Sequence, residues 1–111
     1  MDLYYKSTRN SNLKVTASEA ILKGLAPDGG LFVPEKLPVL GKSMEELKDL
    51  NYQDTAYEVM KCFLTDFTEE ELRNCIEKAY DSKFDDEAIA PLVKVEDTYY
   101  LELFHGATIA F

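Results

Sequence analysis

Apolar residues recur at helical spacing through the middle of the chain and alternate toward its end. Tyr52, Ala56, Val59, Met60, Phe63 and Leu64 fall at i, i+4, i+7, i+8 and onward, one continuous stripe that predicts a helix over residues 52–64. Leu72, Cys75, Ile76, Ala79 and Tyr80 make a matching stripe over 69–81. The connector Thr65-Asp66-Phe67 is too short for anything but a reversal. The two stripes therefore predict an antiparallel helix pair that buries Val59, Met60, Phe63, Leu72, Cys75 and Ile76 against each other.

Polar punctuation sets the other boundaries. Thr16-Ala17-Ser18-Glu19, Ser43-Met44-Glu45-Glu46 and Thr68-Glu69-Glu70-Glu71 each place a hydroxyl three residues ahead of a glutamate, the spacing at which the two side chains satisfy one another's free main-chain N–H groups. The first box predicts a helix over 17–23, with Ala17, Ala20, Ile21 and Leu25 at helical spacing and Gly24 as its stop. The second opens a short helix toward Leu50. Residues 3–6 are aromatic and β-prone and predict an opening strand, followed by a polar loop. Pro27-Asp28-Gly29-Gly30 is tight-turn chemistry leading into the short apolar strand Leu31-Phe32-Val33. From Pro91 the period changes to two, so residues 92–95 and 98–104 predict a hairpin closed by Glu96-Asp97, without the glycine such turns favour. Short strands flanking a helical middle give an α+β fold.

A length of 111 residues, 46% hydrophobic, fits one modest core. The formal charge of −9 is concentrated between Met44 and Glu87, where 14 acids face 5 Lys or Arg. That is a solvated acidic helical face, and it excludes a nucleic-acid partner, which needs a basic stripe. No apolar run reaches membrane-spanning length, and Met1-Asp2-Leu3-Tyr4-Tyr5-Lys6 lacks the order of a signal peptide, so a cytoplasmic protein without a membrane role is expected. Cys62 and Cys75 lie far apart inside predicted helices, which suits reduced packing residues and no metal.

Residue by residue, little catalytic machinery is visible. The single histidine, His105, has no serine, cysteine or carboxylate placed beside it by local spacing, so its default role is structural. The strand leading into His105-Gly106 and on to Ala107-Thr108-Ile109-Ala110-Phe111 is how a helix begins, and such a start offers N–H groups to an anion. Ser7-Thr8-Arg9-Asn10 combines hydroxyls, an amide and a guanidinium, a set suited to a phosphate or carboxylate and equally to a polar turn. The Asp28 turn matches neither standard glycine-rich phosphate loop. Glu69-Glu70-Glu71 complements a helix dipole.

Three separated stretches, in matching order and spacing, resemble one family. Tyr5-Lys6-Ser7-Thr8-Arg9 resembles the YxSTR start of threonine synthases, residues 24–34 resemble their GLAPDGGLFVP segment, and residues 101–111 resemble LELFHGPTLAFKD. The resemblance implies a fold-type-II pyridoxal-phosphate enzyme that converts O-phosphohomoserine and water into threonine and phosphate. It implies an N-terminal domain over 1–90 and the start of the catalytic domain over 91–111, whose partner is the remainder of that domain. In the family motif the residue after Ala-Phe is the lysine that holds the cofactor, and the sequence stops at Phe111, so these residues alone are expected neither to bind the cofactor covalently nor to catalyse. By the same resemblance Thr8, Arg9, His105 and Thr108 are candidate substrate-binding residues, and none of the 111 is a catalytic residue.

Two positions depart from the family pattern. Asn10 stands where many members have glycine, a change that left-handed backbone tolerates, and Ala107 replaces a proline, which adds an N–H and freedom to the loop. Residues 44–90 carry no family motif. Two alternatives stay open: a threonine-synthase-like lyase acting on a related phosphorylated substrate, and a non-catalytic acidic helical interaction module. Residues 107–111 are expected to need the rest of the catalytic domain to bury Ile109 and Phe111, and His105 is expected to titrate ordinarily outside an enclosing site.

Overall fold

The computed structural model describes residues 2–106; residues 107–111, with the expectations placed on them and the candidate Thr108, lie outside the described residues. The elements run β1 (Tyr5–Ser7), β2 (Lys14–Val15), α1 (Ala17–Lys23), β3 (Phe32–Pro34), α2 (Met44–Leu47), α3 (Tyr52–Phe63), α4 (Glu69–Ala79), β4 (Leu92–Val95) and β5 (Thr98–Leu101), the α+β arrangement predicted. All three capping boxes form, with Thr16, Ser43 and Thr68 each accepting from the main chain of the glutamate three residues on. Helix α3 is capped instead by Asn51, whose side chain accepts from Asp54 N at 2.8 Å. Gly24 ends α1 at a φ of 72° and donates its N–H to Ala20 O, as its position predicts.

Helix α4 packs on α3 through Leu72 and Ile76, each 3% exposed. Val59, Met60 and Phe63 are half-buried, shallower than expected. Cys75 departs further. It is exposed, because the Leu72–Ile76 line faces α3 and the next row of the helix turns toward an open cleft shared with Ser18, Asp66 and Phe67. Both cysteines are free thiols, as expected. The pair is laced at its rim: Arg73 bonds Asp54 at 3.2 Å and lies 3.9 Å from the centre of the Tyr57 ring, and Gln53 Nε2 donates to Tyr80 O at 2.6 Å. Glu58, 9% exposed, is paired with Lys61 Nζ at 2.7 Å.

Strand β1 is the centre of a three-stranded antiparallel sheet in the order β2-β1-β3, with Tyr5 opposite both Val15 and Pro34 and Ser7 opposite Phe32. The two-residue β2 falls in the stretch expected to be loop. The sheet is tied to the α3–α4 connector by Leu3 N donating to Thr65 Oγ1 at 2.9 Å and by the Tyr5 hydroxyl donating to Phe63 O at 2.8 Å. Ser18 at the start of α1 adds a main-chain bond to Asp66 at 3.1 Å. In α1, Ala17 and Ala20 face the core while Ile21, and Leu25 just past the end of the helix, stand 60% and 63% exposed.

Strands β4 and β5 pair in the expected register, Leu92 with Leu101 through Val95 with Thr98, although β5 ends three residues short of its prediction. Glu96 takes a φ of 55° in the turn, the strain that goes with having no glycine there. Every residue of both strands is exposed. The hairpin extends from the helical body, and the radius of gyration is 16.4 Å, against about 13 Å for a compact domain near this size.

Candidate functional site

Two clusters gather the chemistry-bearing side chains. The first joins the end of β1 to the turn before β3, two segments about twenty residues apart in sequence. The buried hydroxyl of Ser7 donates to Asp28 Oδ1 at 2.7 Å and accepts from Arg9 N at 3.1 Å. Asp28 Oδ1 also accepts from Gly30 N at 3.0 Å, while the Asp28 carbonyl accepts from Arg9 Nη1 at 3.0 Å. Thr8 is bound twice to Leu31: its N–H donates to Leu31 O at 2.9 Å, and its hydroxyl accepts from Leu31 N at 3.0 Å.

Glycines make this contact possible. A Cβ on Gly30 would lie 2.3 Å from Ser7 Oγ and 2.9 Å from Thr8 Oγ1. One on Gly29, whose φ is 82°, would lie 2.7 Å from Arg9 Nη1. The hydroxyl of Ser7 and the N–H of Gly30 hold the Asp28 carboxyl below its ordinary range. The tight turn expected at Asp28 is present, and what the sequence reading missed is that its side chain fastens Ser7. Only the long-range pairing reveals that, since neither residue stands out alone.

Thr8 and Arg9 are exposed above this clasp. A guanidinium carries five N–H donors and a threonine hydroxyl one. Arg9 uses one donor on a main-chain carbonyl, which leaves its fork open to an anion, and Thr8 keeps its proton to give. An open cleft of about 430 Å³ lies nearby, lined by Tyr5, Ala17, Ala20, Ile21, Leu31 and Leu64. Its walls are mostly apolar and its tyrosine hydroxyl is already bound to Phe63 O, so the polar recognition belongs to the corner and not to the cleft.

The second cluster surrounds His105, apart from Thr8 and Arg9 in its partners. Its Nε2 meets Glu102 Oε1 at 2.9 Å and its Nδ1 meets Asp85, while its carbonyl accepts from Asp85 N at 3.0 Å. Phe84 lies where a Cβ on Gly106 would go, at 2.5 Å, and the Phe104 ring centre is 4.6 Å from the imidazole. The hydrogen bond to Glu102, then that to Asp85, raises the His105 pKa above its ordinary value. The expectation of ordinary titration is therefore corrected: two carboxylates suffice to shift the group without an enclosing catalytic site. Among the described residues no group of acids, cysteines and histidines forms a metal site, and no helix is long and apolar enough to cross a membrane.

A raised pKa has a definite consequence for stability. The protonated ring contributes fully below the unfolded histidine value of about 6.5 and its contribution is lost as pH rises through the higher folded value. The expected result is an imidazole NMR titration with a midpoint above that of a free histidine. Glu102→Gln should lower it further than Asp85→Asn, because the Glu102 side chain is 27% exposed and that of Asp85 76%, and the better-screened charge counts for less. Equal midpoints in all three proteins would show that neither carboxylate acts on the ring.

The profile of the family described as Threonine synthase N terminus matches residues 4–80, more than half of the chain. The chain belongs to the threonine synthase family. Threonine synthase from Eremothecium gossypii is 41% identical over the whole of this chain and 23% of its own length. The Saccharomyces cerevisiae threonine synthase is 36% identical over 96% of the chain and 23% of its own length. The chain thus spans about a quarter of the curated threonine synthases it matches. Among solved structures, a pyridoxal-phosphate-bound threonine synthase from Brucella melitensis superposes with a TM-score of 0.82 and 32% identity over 98% of this chain and 24% of that one.

Proposed function

We propose that this chain is the N-terminal part of a threonine synthase that converts O-phosphohomoserine and water into threonine and phosphate with pyridoxal phosphate, in the cytoplasm. The observation that carries the reading is the likeness, along nearly the whole chain, to the Brucella melitensis enzyme that binds this cofactor. A threonine-synthase-like lyase is the second reading, since threonine synthase-like 2 of Pongo abelii is 34% identical. The higher identities to threonine synthases favour the first.

The proposal divides the chain at residue 90, with 91–111 opening the catalytic domain. The hairpin supports this. One of its faces presents Leu92, Tyr99 and Leu101 and the other Val93, Val95 and Tyr100, all exposed, which suits strands awaiting cover on both sides. The remainder of the catalytic domain is the proposed cover.

Pyridoxal phosphate supplies an electron sink when bound. The groups around His105, two carboxylates and two aromatic rings, do not fit its phosphate. The cofactor and its lysine are assigned to the rest of the protein. Thr8, Arg9, His105 and Thr108 remain the proposed substrate-side residues. Arg9 and Thr8 have donors to spare, whereas His105 must first release Glu102 or Asp85.

The test is the full-length enzyme assayed for threonine and phosphate from O-phosphohomoserine. Arg9→Ala is expected to raise KM about tenfold with kcat nearly unchanged, the loss of one charge-assisted bond made in ground and transition states alike. No threonine formation by the unaltered enzyme would overturn the reading.

A further inference from the structure

We propose that Asp28 is a positioning residue that aims the Arg9 guanidinium and the Thr8 hydroxyl at the phosphate group of the substrate. This rests on the reading that Thr8 and Arg9 meet that substrate. Ser7 has one hydroxyl proton. Giving it to Asp28 Oδ1 turns the oxygen's lone pair toward Arg9 N, and this fixes the main chain from which the arginine projects. The same carboxylate oxygen takes Gly30 N, which sets the turn whose next N–H holds Thr8 Oγ1. One acceptor thereby orients both exposed side chains, although it touches neither of their functional groups.

The way Arg9 is held distinguishes this from a turn that merely closes itself. The turn has main-chain closure already, with Gly29 N donating to Ala26 O at 2.9 Å and Ala26 N to Gly30 O at 2.9 Å. The guanidinium lies over Gly29, in space that a Cβ would fill, and bonds the Asp28 carbonyl instead of its carboxylate. It is held in place without spending its fork on an ion pair. Asp28 Oδ1 is engaged by Ser7 and Gly30, while the Arg9 guanidinium and the Thr8 hydroxyl stay exposed with donors free. A phosphomonoester, whose tetrahedral phosphate offers several acceptor oxygens to a planar guanidinium fork and a neighbouring hydroxyl, matches that pair of donors.

The experiment uses the full-length enzyme, O-phosphohomoserine as substrate and inorganic phosphate as inhibitor, in Arg9→Ala, Asp28→Asn, Ser7→Ala and the Asp28→Asn/Arg9→Ala pair. Asp28→Asn is expected to raise KM and the phosphate inhibition constant together by about five- to tenfold, with kcat within about twofold. The pair should be no worse than Arg9→Ala alone, since the positioned group is already gone. A purely structural Asp28 would instead lower thermal stability and multiply its effect with that of Arg9→Ala. If Asp28→Asn leaves both constants unchanged while Arg9→Ala raises them, positioning is overturned and the anion reading stands. If Arg9→Ala changes neither, the anion reading falls and the positioning role with it. Should Asp28→Asn fail to fold, Ser7→Ala removes the same link and is judged by the same outcomes.

Discussion

Truncation of Leu72 to alanine is expected to lower unfolding stability by about 3 kcal/mol, against a change within about 0.5 kcal/mol for Cys75→Ala one turn along the same helix. Leu72 is 3% exposed on the helix that packs against α3. Cys75 is exposed and removes nothing from the core. The cost at Leu72 is large for this fold. The buried large apolar side chains among the described residues are Leu3, Val15, Leu72, Ile76 and Ile89, and a small domain has only about 5–15 kcal/mol to lose. Urea unfolding reads the difference as a lowered midpoint. Equal midpoints for the two variants would mean that α4 is not seated on α3 by its Leu72 face.

That contrast also shows what helical spacing conveys. The stripe Leu72, Cys75, Ile76 and Ala79 identifies the helix and its approximate inner side, but a stripe spans about 100° and its edge residues can fall either way. Here Leu72 and Ile76 are inside, while Cys75 lies on the edge that faces Ser18 and Asp66. The starts of α1, α2 and α4 were legible because their capping boxes are local, three residues from hydroxyl to carboxylate, whereas α2 ends at Leu47 and α4 at Ala79, short of the Leu50 and residue 81 expected. The hairpin was legible from alternation and its two-residue gap. Strand β2 was not, since two residues carry no period and their pairing is set by β1.

The site divides along the same line. Thr8 and Arg9 were named through a motif, yet the groups that hold them are elsewhere in sequence: Asp28 reaches Ser7 across the β1–β3 connection, and Asp85 reaches His105 from the end of the helical region. Contacts of that separation leave no periodic signal. A glycine pair beside an aspartate reads as a turn whether or not that aspartate fastens another strand.

The largest local effect is expected at Gly30, where alanine should cost about 3 kcal/mol and weaken the corner's hold on an anion at the same time. The added Cβ would meet Ser7 Oγ at 2.3 Å, Thr8 Oγ1 at 2.9 Å and Asp28 Oδ1 at 3.1 Å. None of these is the end of a long side chain that can swing away. The Ser7 oxygen is two bonds from a main chain paired in β1, and the residue is 2% exposed. Relief therefore requires the β1 end and the turn to part, which leaves the buried Ser7 hydroxyl short of partners, in addition to the overpacking itself. Two other glycines calibrate the effect. Gly41 has open space around its Cβ position and its alanine variant should be close to neutral. Gly24 is equally open but sits at a φ of 72°, so its variant should lose about 1 kcal/mol from backbone strain alone. Thermal unfolding of the three variants should rank Gly30→Ala lowest, then Gly24→Ala, then Gly41→Ala. A Gly30→Ala protein as stable as Gly41→Ala would mean that the Ser7 and Asp28 segments are not in contact, and the corner built on them would not exist.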